Sequence, residues 1–236
     1  MTKGKIILLN GPSSSGKTTL ANALQRKLPE PYYILSIDTF YKMLNRERYF
    51  YGTGYNHDMI NKLMNYTVKL FSDNGCNVIT DRVITSTVQG NKLLFELTEV
   101  LLENPVLIVS VECPLFELER REKLRQDRNI GQAKQQYFSM DENQICDVKV
   151  NTYYLNIDQC LGEIIAVICK PNAWKAFKEI NKMRESFTSN AEMKHYFKNK
   201  RNKDLQSIRK KIFAKSDWLS QAKYCIVGLE RKVTKS

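Results

Sequence analysis

The sequence has few of the residues from which zinc sites and disulfide frameworks are built. Its 236 residues include two histidines, and its six cysteines show no Cys-x-x-Cys spacing. Both classes of protein are therefore disfavoured, and a reducing cytoplasm is the expected location. No run of about 18 apolar residues is present, so a membrane-spanning helix is not expected. The first residues lack a small-residue cleavage site, so a conventional secretion signal is not expected either.

Acidic residues are scarce in one part of the chain. Residues 1–170 hold 20 Lys and Arg against 19 Asp and Glu, whereas residues 171–236 hold 17 against 6. The length and this imbalance predict a main domain over 1–170 and a basic helical extension over 171–236, with Pro171 at the boundary. We expect the extension either to contact a polyanion or to be a solvated helical appendage.

Short apolar runs alternate with helical patterns along the first 170 residues. Strands are predicted over residues 5–10, 32–37, 77–80, 106–111 and 147–150. Helices are predicted over residues 18–28, 57–74, 92–102, 115–124, 132–137 and 157–169. This alternation predicts an α/β fold in which helices cover both faces of a parallel sheet. Such sheets bind ligands at the carboxyl ends of their strands.

A phosphate-binding loop separates the first predicted strand from the first predicted helix. Its residues match the Walker A pattern G-x-x-x-x-G-K-[ST] at every fixed position: Gly11, Pro12, Ser13, Ser14, Ser15, Gly16, Lys17 and Thr18. The glycines allow consecutive amides to face a phosphate, and the following helix presents its positive end to the same anion. Lys17 is expected to bridge the terminal phosphates of ATP, and the Thr18 hydroxyl to bind Mg²⁺.

Two aspartates follow predicted strands and are candidates for the chemistry. Asp38 comes after the second strand, where a carboxylate can accept the proton of an acceptor hydroxyl. Asp81 comes after the third strand and is expected to hold Mg²⁺, directly or through water. Either residue could instead be a helix cap, which is a common role of aspartate before a helix.

A cluster of arginines between residues 119 and 128 predicts a lid that closes over the nucleotide. Arg125 and Arg128 are the expected contacts, because they are nearest to Gly131, where a lid would hinge. The alternative is a solvated helix whose arginines face water.

With these motifs together, the chain resembles the chloramphenicol phosphotransferase-like family of P-loop kinases. The resemblance covers roughly residues 4–169 and is carried by the phosphate loop, by Leu28 to Pro31, by Ile37 to Thr39, by the residues of the arginine cluster with Gly131 and Ala133, and by Asp147 to Thr152. It implies that Asp38 is the general base, that residues 11–18 bind ATP, and that Arg128 and Arg125 contact the nucleotide. The basic extension has no counterpart in it.

The residues leave the phosphoryl acceptor open. The aromatic and basic segment 46–57 falls where the family forms its acceptor pocket, and its aromatics would either stack on a planar acceptor or anchor a surface loop. A small hydroxylated molecule is the first expectation. The alternatives are a nucleic acid or protein recruited by the basic extension, and a regulatory nucleotide-binding module with little turnover.

Overall fold

The computed structural model describes residues 2–44, 57–125, 130–140 and 144–187, together with residues 191, 192, 195, 196, 198 and 199. The chain divides into two compact units, Met1–Asn190 and Ala191–Ser236. In the second unit the described residues are helical, and the Asn199 amide contacts the His195 ring at 2.9 Å. Arg128, the aromatic residues 46–56 and the basic residues 201–236 lie outside the described residues. The predictions made for them, polyanion binding included, stay predictions.

The first unit is built on a five-stranded sheet in which every paired strand is parallel. In chain order the strands are β1 Ile6–Asn10, β2 Tyr32–Ser36, β3 Asn77–Arg82, β4 Val106–Glu112 and β5 Val148–Asn151. Their spatial order is β2-β3-β1-β4-β5. Strand β3 is longer than the sequence predicts, because Asn10 of β1 pairs with Arg82 and extends the ladder by two residues. Asp81 therefore lies inside a strand.

Helices cover both faces of this sheet. In chain order they are α1 Lys17–Lys27, α2 Ile37–Lys42, α3 His57–Asp73, α4 Val88–Val100, α5 Leu115–Lys123, α6 Gln132–Tyr137, α7 Ile157–Ile168 and α8 Ala176–Glu185. One core joins α1 and α7 to alternate residues of the strands, among them Ile7, Leu9 and Ile79. Helix α3 contacts β3 and helix α8 contacts β4. Helix α4 packs against both α3 and α8. The predicted fold, a parallel sheet with helices on both faces, is confirmed.

Helix α4 begins one turn earlier than the apolar periodicity predicts, at Val88 and not at Lys92. The Thr87 hydroxyl accepts a hydrogen bond of 3.0 Å from the Gly90 amide and caps the helix. The first turn buries Gly90 and Asn91 and no large apolar side chain, so the periodic pattern does not mark it. No helix among the described residues is long and apolar enough to cross a membrane.

The first unit continues past the boundary predicted at Pro171. A short 3-10 helix, Pro171–Ala173, leads to Trp174, whose indole nitrogen donates to the Val167 carbonyl at 2.8 Å. Trp174 belongs to the core on the α7 face, and Phe177 and Ile180 of α8 are buried too. Apolar packing thus keeps the start of the basic extension in the first unit, although Pro171 does end α7.

Candidate active site

A cleft of about 450 Å³ opens at the carboxyl edge of the sheet. Polar residues from four segments line it: Ser13, Ser14, Lys17 and Thr18 after β1, Asp38 after β2, Asp81 near the end of β3, and Thr152 after β5. Arg121 and Arg125 face it from α5 and the turn beyond. The structure therefore brings together the phosphate loop and both aspartates predicted from the sequence.

The backbone of the phosphate loop requires glycine at its two fixed positions. A side chain at Gly11 would lie 2.3 Å from the Val111 carbonyl oxygen, far inside van der Waals contact. Gly16 has a φ of 92°, in the left-handed region, and is the residue before the first turn of α1. Ser14 also has a positive φ, of 64°. These angles turn the loop around the amino end of α1, where the helix dipole favours an anion.

Lys17 is held inside the loop. Its ammonium group donates hydrogen bonds of 2.9 Å to the Gly11 carbonyl and 2.7 Å to the Pro12 carbonyl. The hydroxyls of Ser14 and Ser15 are buried and have no hydrogen-bond partner among the described residues. Buried polar groups in proteins are normally paired. Of the two serines only Ser14 lines the cleft, so the loop offers a cation and one uncommitted hydroxyl to a bound phosphate chain.

Asp38 is not the cap of its helix. The cap of α2 is Ser36, whose hydroxyl accepts a 3.3 Å hydrogen bond from the Asp38 backbone amide. Asp38 lies in the first turn, is half-buried, and lines the cleft. Its carboxylate is thus held at the cleft by a capped helix, in a position that an acceptor hydroxyl can reach.

Asp81 is buried at the same edge, with 8% of its surface exposed. Its Oδ1 atom has no hydrogen-bond partner among the described residues. The exposed Thr18 lines the same cleft from the first turn of α1. Carboxylate and hydroxyl oxygens are the ligands that Mg²⁺ prefers in proteins. The donors present at this edge therefore fit a magnesium ion.

Arg121 contacts the active-site edge directly. Its guanidinium donates hydrogen bonds of 3.0 Å to both the hydroxyl and the carbonyl of Thr152, and the Thr152 hydroxyl donates to the Ser15 carbonyl at 2.8 Å. Glu117 orients the arginine through a 2.7 Å ion pair. Hydrogen bonds from Arg120 and Arg121 lower the pKa of the Glu117 carboxyl to about 2. Arg125 lines the cleft as well, and its role in a lid stays a prediction.

Glu122 joins the two helices of the predicted lid. Its buried carboxylate accepts hydrogen bonds of 2.7 Å from the amides of Gly131 and Ala133, at the start of α6. From the same helix Gln136 reaches the phosphate loop, where its side-chain carbonyl accepts a 2.6 Å hydrogen bond from the Ser13 amide. Helix α6 is thus fixed at one end to α5 and connected by Gln136 to the loop that would hold phosphate.

Sequence reasoning does not identify Arg82, Gln136 or Thr152 as site residues, although all three line the cleft. For Arg82 a signal was available, because a charged residue directly after Asp81 is unusual in a strand buried on both faces. Gln136 and Thr152 carry no such signal. Only the tertiary contacts bring them to the phosphate loop.

Solved structures of kinases share this fold. The *Mycobacterium tuberculosis* APS kinase, solved with AMPPNP and APS, aligns with a TM-score of 0.52 and 18% identity over 72% of this chain and 100% of that chain. The *Deinococcus radiodurans* tunicamycin resistance protein aligns with a TM-score of 0.52 and 22% identity over 70% of this chain and 96% of that chain. At these identities the likeness concerns the fold alone.

Sequence relatives are more specific about the family. Two *Mycobacterium tuberculosis* proteins, one from each of two strains, carry the provisional name O-phosphotransferase and are 31% identical over 155 residues. The aligned part is 56% of this chain and 67% of each relative. The family model described as chloramphenicol phosphotransferase-like protein matches residues 4–168, the stretch that holds the sheet, the phosphate loop and both aspartates. The chain therefore belongs to the chloramphenicol phosphotransferase-like family, whose fold is that of P-loop kinases.

Proposed function

We propose that this protein transfers the γ-phosphoryl group of ATP to a hydroxyl group of a small molecule, with Mg²⁺ as the metal. The observation that carries the proposal is that Asp38 and the phosphate loop line one cleft. At about 450 Å³, that cleft is in the size range of small-ligand sites. A protein or nucleic acid acceptor would have to insert a single group into it.

In this proposal Asp38 takes the proton of the acceptor hydroxyl. The acceptor oxygen forms a bond to the γ-phosphorus as the bond from that phosphorus to the β–γ bridging oxygen breaks, and ADP leaves. Phosphoryl transfer depends mainly on positioning and on charge stabilisation, with a base that orients the nucleophile. Because a capped helix holds Asp38 at the cleft, the base is positioned before the substrate arrives.

Cations and donors around the cleft stabilise the charge of the transferring group. Lys17 lies within the loop, and the Ser14 hydroxyl, which has no hydrogen-bond partner among the described residues, lines the same cleft. Arg125 faces the same cleft from the lid side. Preorganised donors of this kind need no rearrangement during the reaction, which is the main source of electrostatic catalysis.

The Thr18 hydroxyl and the Asp81 carboxylate are the residues that would hold Mg²⁺. Bound there, the ion would neutralise charge on the phosphate oxygens of ATP. The unpartnered Oδ1 of Asp81 supports this assignment, because a buried carboxylate oxygen without a donor is costly unless a ligand completes it.

The proposal is tested by transfer from radiolabelled ATP to a panel of hydroxylated metabolites and antibiotics, with RNA and cell-lysate proteins as further acceptors. We expect label to appear in a small molecule and ADP to be released in equal amount. If label appeared only in RNA or protein, the acceptor would be a macromolecule and not a small molecule. Tight ATP binding with no acceptor-dependent ADP would contradict the kinase and favour a regulatory module.

Asp81→Asn is expected to raise the Mg²⁺ concentration for half-maximal transfer by about 10- to 100-fold, since the amide is a poor magnesium ligand. The melting temperature should be kept, because Oδ1 makes no hydrogen bond that the change removes. The measurement is a magnesium titration of the initial rate. Glu163→Gln, which neutralises an exposed carboxylate on α7, is the control. An unchanged magnesium requirement would remove Asp81 from the metal site.

A further inference from the structure

Arg82 is a buried cation whose side-chain hydrogen-bond partners are both neutral. Only 5% of its surface is exposed, although it lines the cleft. Its guanidinium donates hydrogen bonds to the side-chain carbonyls of Asn61, at 3.3 Å, and Asn65, at 2.8 Å. Both partners are neutral amides, and among the described residues no carboxylate oxygen lies within ion-pair distance of it. Burial lowers the pKa of the guanidinium to about 10, against the opposing effect of the neighbouring Asp81 carboxylate, and the group stays protonated at neutral pH.

The hydrogen-bonding capacity of this guanidinium is not used up. A guanidinium carries five N–H donors in a planar fork, and the two asparagines accept one bond each. The Nε atom is buried and has no partner among the described residues. A buried charge is destabilising unless it is paired and hydrogen-bonded. An anion with two oxygens in a plane would satisfy both the charge and the free donors.

Strand geometry separates Arg82 from the magnesium and phosphate side of the cleft. Neighbouring residues in a strand project to opposite faces, and Ile79 of β3 packs in the core of the α1 face. Asp81 therefore projects towards the face of α1, the helix that follows the phosphate loop, and Arg82 towards the opposite face. There its hydrogen bonds reach α3, the helix against which α2 packs. Because α2 carries Asp38, Arg82 belongs to the acceptor side.

We propose that Arg82 binds an anionic group of the acceptor, so that the substrate is a hydroxyl compound that also carries a carboxylate, sulfate or phosphate. This inference rests on the proposed phosphotransferase activity for the identity of the acceptor. The presence of an anion subsite at Arg82 does not depend on turnover. The triphosphate of ATP has its own donors in the loop amides and in Lys17, at the start of α1 on the opposite face of the sheet.

The subsite is tested first without catalysis. The full chain is saturated with Mg²⁺ and AMPPNP, so that the phosphate loop is filled, and its melting temperature is followed as sodium sulfate is added against sodium chloride of equal ionic strength. We expect sulfate to raise the melting temperature of the wild type, and Arg82→Gln to weaken the apparent sulfate affinity by about 10- to 100-fold. Arg26→Gln, the same change at an exposed position on α1, should keep the wild-type response.

A second variant keeps the arginine in place. Asn65→Asp puts a carboxylate within hydrogen-bond distance of the guanidinium and so neutralises it with almost no change in shape. The resulting ion pair should maintain or raise the melting temperature of the free protein, while the sulfate response is lost. A wild-type sulfate response in Asn65→Asp would overturn the proposal. This result remains informative even if Arg82→Gln does not fold.

The acceptor assignment is tested with matched pairs of hydroxyl compounds, such as gluconate with glucose and glycerate with glycerol. Wild type should have a higher kcat/KM for the anionic member, and Arg82→Gln and Asn65→Asp should each lower that preference by about tenfold or more. Equal preference in wild type and variants would overturn the proposal. A tenfold loss of AMPPNP affinity in Arg82→Gln, with ADP affinity unchanged, would also overturn the proposal, because that result would assign Arg82 to the γ-phosphate. A sulfate subsite without transfer to any acceptor would contradict the proposed function and leave the subsite standing.

Discussion

Replacing Asp38 with asparagine is expected to lower kcat by about 10²- to 10⁴-fold, the usual contribution of a general base. The amide cannot take the proton of the acceptor hydroxyl. ATP affinity should stay within about twofold, because Asp38 lies on α2, outside the phosphate loop. The helix should remain capped, since the Ser36 hydroxyl bonds to the backbone amide of residue 38 and not to its side chain. Single-turnover transfer and nucleotide titration measure the two effects separately.

The matched control for Asp38→Asn is Glu103→Gln. Glu103 follows α4 at the opposite, amino-terminal edge of the sheet, and its side chain is 84% exposed. The Glu103→Gln variant should retain the wild-type kcat and the wild-type ATP affinity. Transfer at the wild-type rate in Asp38→Asn would reject the base. An equal loss of ATP affinity would instead indicate that Asp38 contributes to nucleotide binding.

Lys17→Ala is expected to reduce kcat/KM for ATP by about 10³-fold, because it removes the cation from the centre of the phosphate loop. The ammonium lies between the Gly11 and Pro12 carbonyls in the structure, within reach of a phosphate chain held by the loop amides. Its charge stabilises the negative charge of the transferring group, so kcat should fall as well as nucleotide affinity. Initial rates over a range of ATP concentrations give both quantities.

Lys27→Ala is the control for Lys17→Ala. Lys27 is exposed in the last turn of the same helix, so the variant removes the same charge from α1 without reaching the cleft. Its rates should equal those of the wild type. A melting temperature for Lys17→Ala close to that of Lys27→Ala would show that the loss of activity is not a loss of folding. Wild-type kinetics in Lys17→Ala would reject the loop as the ATP site.

The part of the site that the sequence predicts best is the part formed by neighbours along the chain. The phosphate loop needs only a strand, eight consecutive residues and a helix, and the structure has all three in that order. The positions of Asp38 and Asp81 depend on residues that are further apart along the chain. Their place in one cleft was predictable, because the carboxyl ends of parallel strands share an edge. The cap of α2 and the residue at which β3 ends were not predictable from the sequence. The Ser36 cap and the Asn10–Arg82 pair decide those details.

Residues that act through distant contacts escaped prediction. Thr152 reaches the Ser15 carbonyl across 137 positions of sequence, and Gln136 reaches the Ser13 amide across 123. Neither residue type is rare enough, nor its spacing regular enough, to indicate these contacts. The same holds for Trp174, which keeps residues beyond Pro171 in the first unit because its indole packs on the sheet side of α7.

Apolar periodicity and one eight-residue loop were enough to predict the class of fold, the order of its five strands and a site for nucleotide phosphates, because each depends on residues close in sequence. They did not predict α2, the short helix that carries Asp38 and is capped by Ser36. Tertiary structure decided which charges at the cleft are compensated. Asp81 and Arg82 are adjacent in sequence, yet strand alternation sends one towards the phosphate loop and the other towards α3, where its hydrogen-bond partners are two neutral asparagines. Long-range packing sets that difference, since it determines what each side chain meets after the chain has folded.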